Sequence, residues 1–145
     1  MKIKKLEIHN IASIENAFID FDQEPLSGTD LFLITGSTGS GKTTILDAIS
    51  LALYNTTPRI SKGGSDKEQA NSDNLTGKDP RNIMRSNTGY AYVKLYFTGN
   101  DGRDYSAEWS VQRGKHKSPD KKLNNAVWSV TEIASGNCIR GDKKD

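Results

Sequence analysis

The densest chemistry in the chain lies in Thr35 to Thr44, TGSTGSGKTT. Gly36, Gly41, Lys42 and Thr43 fit the pattern G-x-x-x-x-G-K-[ST], and Gly39 adds another glycine. Such a loop binds phosphate. Its glycines turn the backbone so that successive N–H groups point into one concavity, and the helix that follows presents its positive end to the same place. The expected site is Gly36, Ser37, Thr38, Gly39, Ser40, Gly41, Lys42, Thr43 and Thr44. In it Lys42 is a point charge for the β and γ phosphates, and the Thr43 hydroxyl is a magnesium ligand. The ligand class is a nucleoside triphosphate.

Magnitudes limit what this loop does alone. About five charge-assisted hydrogen bonds at roughly 1.5 kcal/mol each sum to about 8 kcal/mol, a micromolar ceiling. Hydrolysis further requires a carboxylate at the end of an apolar strand, to hold magnesium and orient water. No run of four apolar residues followed by Asp-Glu occurs after Thr43. No catalytic residue is therefore assigned in this chain.

The loop needs a strand before it and a helix after it. LFLIT, Leu31 to Thr35, is a continuous apolar run and predicts a central strand buried on both faces. After Lys42 the period changes: Ile45, Ile49 and Leu53, with Leu46, Ala48 and Ala52 beside them, predict a helix stopped by NTTP at Pro58. Asp47 falls on its polar face in this reading. Upstream, Lys4 to Ile11 reads as a strand with Leu6 and Ile8 on one face. Ala17, Ile19 and Phe21 repeat the period of two before an acidic turn at Asp22 to Asp30.

Arg59 to Asn87 is polar apart from a few apolar residues, and a mobile loop is expected over 61–82. Ala91, Val93, Leu95 and Phe97 then alternate with polar positions, GNDG turns the chain, and Tyr105, Ala107, Trp109 and Val111 alternate on the return, which is a hairpin. A further strand is expected over Ala126 to Ile133, with Trp128 and Val130 inward. The fold class is α/β: a mixed or antiparallel sheet around a central P-loop helix.

At 145 residues the chain accommodates one core. Twenty Lys and Arg against eighteen Asp and Glu leave a net charge of +2, so any basic surface must be local. The single cysteine, Cys138, excludes an internal disulfide and is expected to be a partly buried small hydrophobe. With His9 and His116 far away in sequence, its spacing is wrong for zinc. MKIKKLEIHN alternates charged and apolar residues, unlike a signal peptide, and no window approaches the roughly 20 apolar residues of a membrane span. The expectation is a cytoplasmic protein without membrane contact. The charged end RGDKKD is expected to interrupt a longer chain.

The P-loop followed by ILDAISLALYNTTPRI resembles the SbcC family, SMC-like ABC ATPases that form the ATPase subunit of the SbcC-SbcD exonuclease. KIKKLEIHNIASI, NIMRSNT and GRDYSAEWSVQRGKHKSPD extend the resemblance over most of the chain. It implies that residues 1–145 are the N-terminal half-lobe of an ABC-type ATPase head. The coiled coil and the C-terminal half-lobe, which carries the Walker B and signature elements, would lie outside. ATP and Mg2+ are then the cofactors, bound between two heads in an ATP-dependent dimer. SbcD and DNA are the partners, and DNA repair and recombination the setting. A RecF-like nucleotide-gated DNA clamp and an ABC transporter ATPase are the rival readings.

The resemblance also sets individual residues. Several relatives place a basic residue that helps bind nucleotide at position 12, where this chain has Ala12, and SbcC proteins proper vary there. Gln112 precedes the position expected of the family's Q-loop, and Leu26-Ser27-Gly28 is a turn and not a signature motif. Arg113, Lys115, Lys117, Lys121 and Lys122 are the candidate contacts to DNA phosphates, independent of base sequence. No aromatic residues are interleaved among them, which favours a solvated hairpin loop over that role.

Overall fold

The computed structural model describes residues 1–29, 31–63 and 73–141. Six strands form one sheet: β1 (Lys2–Ile11), β2 (Ile14–Asp20), β3 (Tyr90–Thr98), β4 (Asp104–Gln112), β5 (Val127–Glu132) and β6 (Cys138–Gly141). Their order is β2-β1-β3-β4-β5-β6, and every pairing is antiparallel. The expected hairpin is present with Tyr90 opposite Gln112 and Thr98 opposite Asp104. Its turn closes where Gly99 N–H donates to the Arg103 carbonyl, 2.8 Å, with Gly102 at φ 78°.

Period two decides which face is core. Ala91, Val93, Leu95 and Phe97 of β3 and Ala107, Trp109 and Val111 of β4 are buried with Leu6 and Ile8 of β1. Helix α1 (Lys42–Tyr54) packs on this face against β1, β3, β4 and β5. Its buried positions, Thr44, Asp47, Ala48, Leu51 and Ala52, follow the three-and-four spacing of a single helical stripe. Asn55, left-handed at φ 56°, ends the helix, and its N–H donates to the Leu51 carbonyl.

Four expectations change. Leu31 to Thr35 is not a strand: Leu31 is 86% and Leu33 89% exposed. A central strand needs partners on both edges, and the six strands of this sheet pair with one another and not with it. Pro58 opens a short helix, α2 (Pro58–Gly63), instead of only ending α1. Of the expected loop 61–82, residues 64–72 lie outside the described residues, and its C-terminal flank is ordered by a 3-10 turn at Pro80–Ile83. Ile60, Leu75 and Ile83 anchor the region in the core. Cys138 is exposed because it lies on the edge strand β6, which the sequence pattern did not reveal.

Candidate nucleotide-binding site

Residues 38–41 turn the chain into α1. Gly39 and Gly41 take φ of 82° and 94°, left-handed values that side chains resist. A Cβ at Gly41 would also crowd Ile14 Cγ1 at 3.0 Å, which adds to the preference for glycine set by its φ. Ser40 N–H donates to the Ser37 carbonyl at 3.2 Å and narrows the loop. Gly41 caps α1 without a side-chain hydrogen bond, and no acidic residue occupies the first turn. The first helical N–H groups have no intrahelical partners, and the positive end of the helix is uncompensated.

Lys42 curls back into the loop. Its Nζ donates to the carbonyls of Gly36 and Ser37, at 2.5 and 2.6 Å. These partners are neutral oxygens, so the ammonium charge is available to an anion. Thr43 is exposed beside it, whereas Thr44 is buried against the core. The residues therefore fit a phosphate chain with its metal: free N–H groups, one cation, an exposed hydroxyl at Thr43 in the first turn of the helix and no carboxylate in the loop.

A cleft of about 540 Å³ opens at this loop. Thr38, Gly39, Lys42 and Thr43 line one side, and Ala12, Ser13 and Arg59 complete it. Arg85 braces the β1–β2 turn that forms the far wall, donating from Nη1 to the carbonyls of Ser13 (3.0 Å) and Ala12 (3.3 Å). Ala12, whose φ is 44°, donates its N–H to Ile83. The sequence pattern missed Ser13 and Arg59 as wall residues and Arg85 as the brace of the β1–β2 turn, because the turn and the segments after α1 converge only in three dimensions.

Asp47 is the clearest correction. It is buried, not on a polar face, and its carboxylate accepts a hydrogen bond from Arg59 Nη2. The signal was present: residues 44, 47, 48 and 51 fall on one helical stripe, so Asp47 shares the core face with Ala48 and Leu51.

The five candidate DNA-contact residues separate. Arg113 donates to both carboxylate oxygens of Asp73, at 2.9 and 2.7 Å, and to the Lys121 carbonyl. Lys121 pairs with Asp120. Lys117 lies over the Tyr90 ring, and Lys115 and Lys122 are exposed. Gln112 donates to the Gly114 carbonyl at the end of β4 and is not among the residues lining the P-loop cleft. Among the described residues no group of three His, Cys, Asp or Glu could hold a metal, and no helix is long and apolar enough to cross a membrane.

A family profile described as an AAA domain matches residues 5–138. The chain belongs to this AAA domain family. Curated relatives agree with the resemblance read from the sequence. The AAA domain is 38% identical to the C subunit of the SbcCD nuclease of Pseudomonas aeruginosa, over 99% of this chain and 12% of that protein. It is 39% identical to the protein of the same name in Rhodobacter capsulatus, over 96% of this chain and 11% of the relative. A "DNA double-strand break repair Rad50 ATPase" of Thermoplasma volcanium is 29% identical over 93% of the chain and 12% of its own length. The chain thus spans about a tenth of the length of the relatives it matches.

Proposed function

We propose that this AAA domain is the N-terminal ATP-binding half-lobe of an ABC-type, SbcC-like ATPase head serving DNA repair. The observation that carries the reading is the P-loop geometry: two left-handed glycines, an uncompensated helix N-terminus, and Lys42 held inside the loop by neutral carbonyls. The backbone N–H groups of Thr38 to Thr44 orient the phosphates, Lys42 neutralises the β and γ groups, and the Thr43 hydroxyl holds Mg2+. Arg59, fixed by Asp47, lines the same cleft. Bound magnesium supplies charge neutralisation on the phosphates.

Hydrolysis belongs to groups outside this chain, since no apolar run ending in Asp-Glu follows the loop. In this reading the exposed run Leu31–Phe32–Leu33–Ile34, directly before the loop, is the surface covered by the C-terminal half-lobe of the same protein. ATP would then join two heads, and the cycle would gate a SbcD nuclease on DNA, with Lys115, Lys117 and Lys122 as exposed contacts to phosphates. The names of the relatives support the repair assignment over a transporter.

Calorimetric titration with Mg–ATP tests the proposal. Micromolar binding that Lys42→Ala abolishes, with an unchanged melting temperature, is the expected result. Equal affinity of the variant and the native chain would refute the P-loop assignment.

A further inference from the structure

Helix α1 covers the sheet face that carries Val93, Leu95 and Trp109. The alternate positions of β3 point the other way: Tyr90, Tyr92, Lys94 and Tyr96, three tyrosines at every second or fourth residue, all half-buried. His9 of β1, paired with Tyr92 in the sheet register, stacks on that ring at 5.4 Å between centroids and 29° between planes. Tyr90 follows at 5.7 Å from Tyr92. His9 is held in place by Asn16, 2.7 Å from Nδ1, and by Asn10, 3.0 Å from Nε2. The rings form a continuous aromatic strip across two strands.

The basic loop after β4 is attached to this strip. Lys117 Nζ lies 3.7 Å from the centroid of the Tyr90 ring. The contact is built in at the backbone, since a Cβ on Gly89 would come within 1.5 Å of the Lys117 carbonyl. Only glycine before β3 lets the loop lie this close. Lys115 is exposed two residues away. At the other end of β3, Lys94 stands 5.2 Å from the Tyr96 ring centroid and pairs with Glu108.

We propose that this outer sheet face is a stacking platform for single-stranded nucleic acid. Bases stack on the Tyr92 and His9 rings, and Lys117, held over Tyr90, meets the phosphates together with Lys115. The chemistry favours unpaired strands: flat rings offer π faces to bases, and only a strand without a partner has base faces to give. Lysines alone would serve a duplex equally well. The inference rests on the DNA-binding part of the proposed function, but not on the nucleotide site.

The test is fluorescence anisotropy of labelled oligothymidylate of about 15 nucleotides, and of a duplex of the same length, at about 50 mM salt without ATP. The native chain is expected to bind the single strand more tightly than the duplex. Tyr92→Leu weakens the single strand about tenfold and leaves the duplex nearly unchanged, whereas Tyr92→Phe retains binding. Lys117→Gln lowers the slope of binding against salt by about one ion. Melting temperatures identify any variant that fails to fold, and Tyr92→Phe still reads the ring if Tyr92→Leu does so. Equal binding of both probes, indifferent to Tyr92→Leu, overturns the platform while leaving a general DNA contact standing. Binding of neither probe overturns both.

Discussion

The indole of Trp109, at the centre of β4, donates its Nε1 hydrogen to Oδ1 of Asn55, the left-handed residue that ends α1, across 3.0 Å. Trp109 is fully buried. A second indole does similar work, with Trp128 Nε1 donating to the Ala52 carbonyl at 2.7 Å, one of the last four helical carbonyls. Two tryptophans thus tie the end of the P-loop helix to the sheet. Trp109→Phe is expected to cost about 1–2 kcal/mol, and Trp109→Ala about 3–5 kcal/mol, in urea unfolding. A Trp109→Phe protein as stable as the native chain would show that the indole hydrogen bond contributes nothing.

Arg59 and Asp47 predict an asymmetry. Asp47 has a side chain only 4% exposed, and Arg59 is half in water at 51%. Arg59→Ala leaves a carboxylate buried without its cation, at about 3 kcal/mol. Asp47→Asn keeps a hydrogen-bond acceptor and frees a guanidinium that can turn to solvent, so its cost is about 1 kcal/mol. Denaturation midpoints of the two variants decide the order, and the reverse order would contradict this account.

The pair of Arg113 and Asp73 sets a pH dependence. Hydrogen bonds from Arg113 hold the Asp73 carboxyl below its ordinary 3.8, against the opposing effect of burial, and the Leu123 N–H assists. A lowered folded value means that the stabilisation is complete above pH about 4 and is lost as pH falls further. Asp79 behaves alike: burial opposes its charge, and Arg81 overcomes that effect. Asp73→Asn is therefore expected to flatten the acid limb of stability below pH about 4 and to leave the slope between pH 6 and 8 unchanged. Thermal melts across that range provide the measurement.

Leu31 and Leu33 are expected to be replaceable in this chain. Both are already exposed, so Leu31→Ser with Leu33→Ser should change stability by no more than about 0.5 kcal/mol. A loss above about 2 kcal/mol would mean that they pack against the lobe. When the proposed C-terminal half-lobe is supplied, the same double variant is expected to fail to associate with it, as read by size-exclusion chromatography.

ATP turnover by the isolated chain is expected to be absent, even where Mg–ATP binds. A phosphate-release assay that gave the rate of a complete ATPase would place a catalytic carboxylate in this chain after all.

The P-loop and the β3–β4 hairpin were determined by the sequence itself. Left-handed turns at Gly39 and Gly41, a helix starting at Lys42, and alternation from Tyr90 to Val111 are preferences encoded within a few neighbouring residues. Only the tertiary structure decided the fate of Leu31 to Thr35. An apolar run becomes a central strand only when other strands meet both its edges, and the sheet here closes without it. The same holds for Asp47 with Arg59, and for Lys117 with Tyr90: sequence showed a basic loop without aromatics, and folding laid it against them. Local conformation is written along the chain, whereas ion pairs, strand edges and ring contacts depend on residues that folding alone brings within reach.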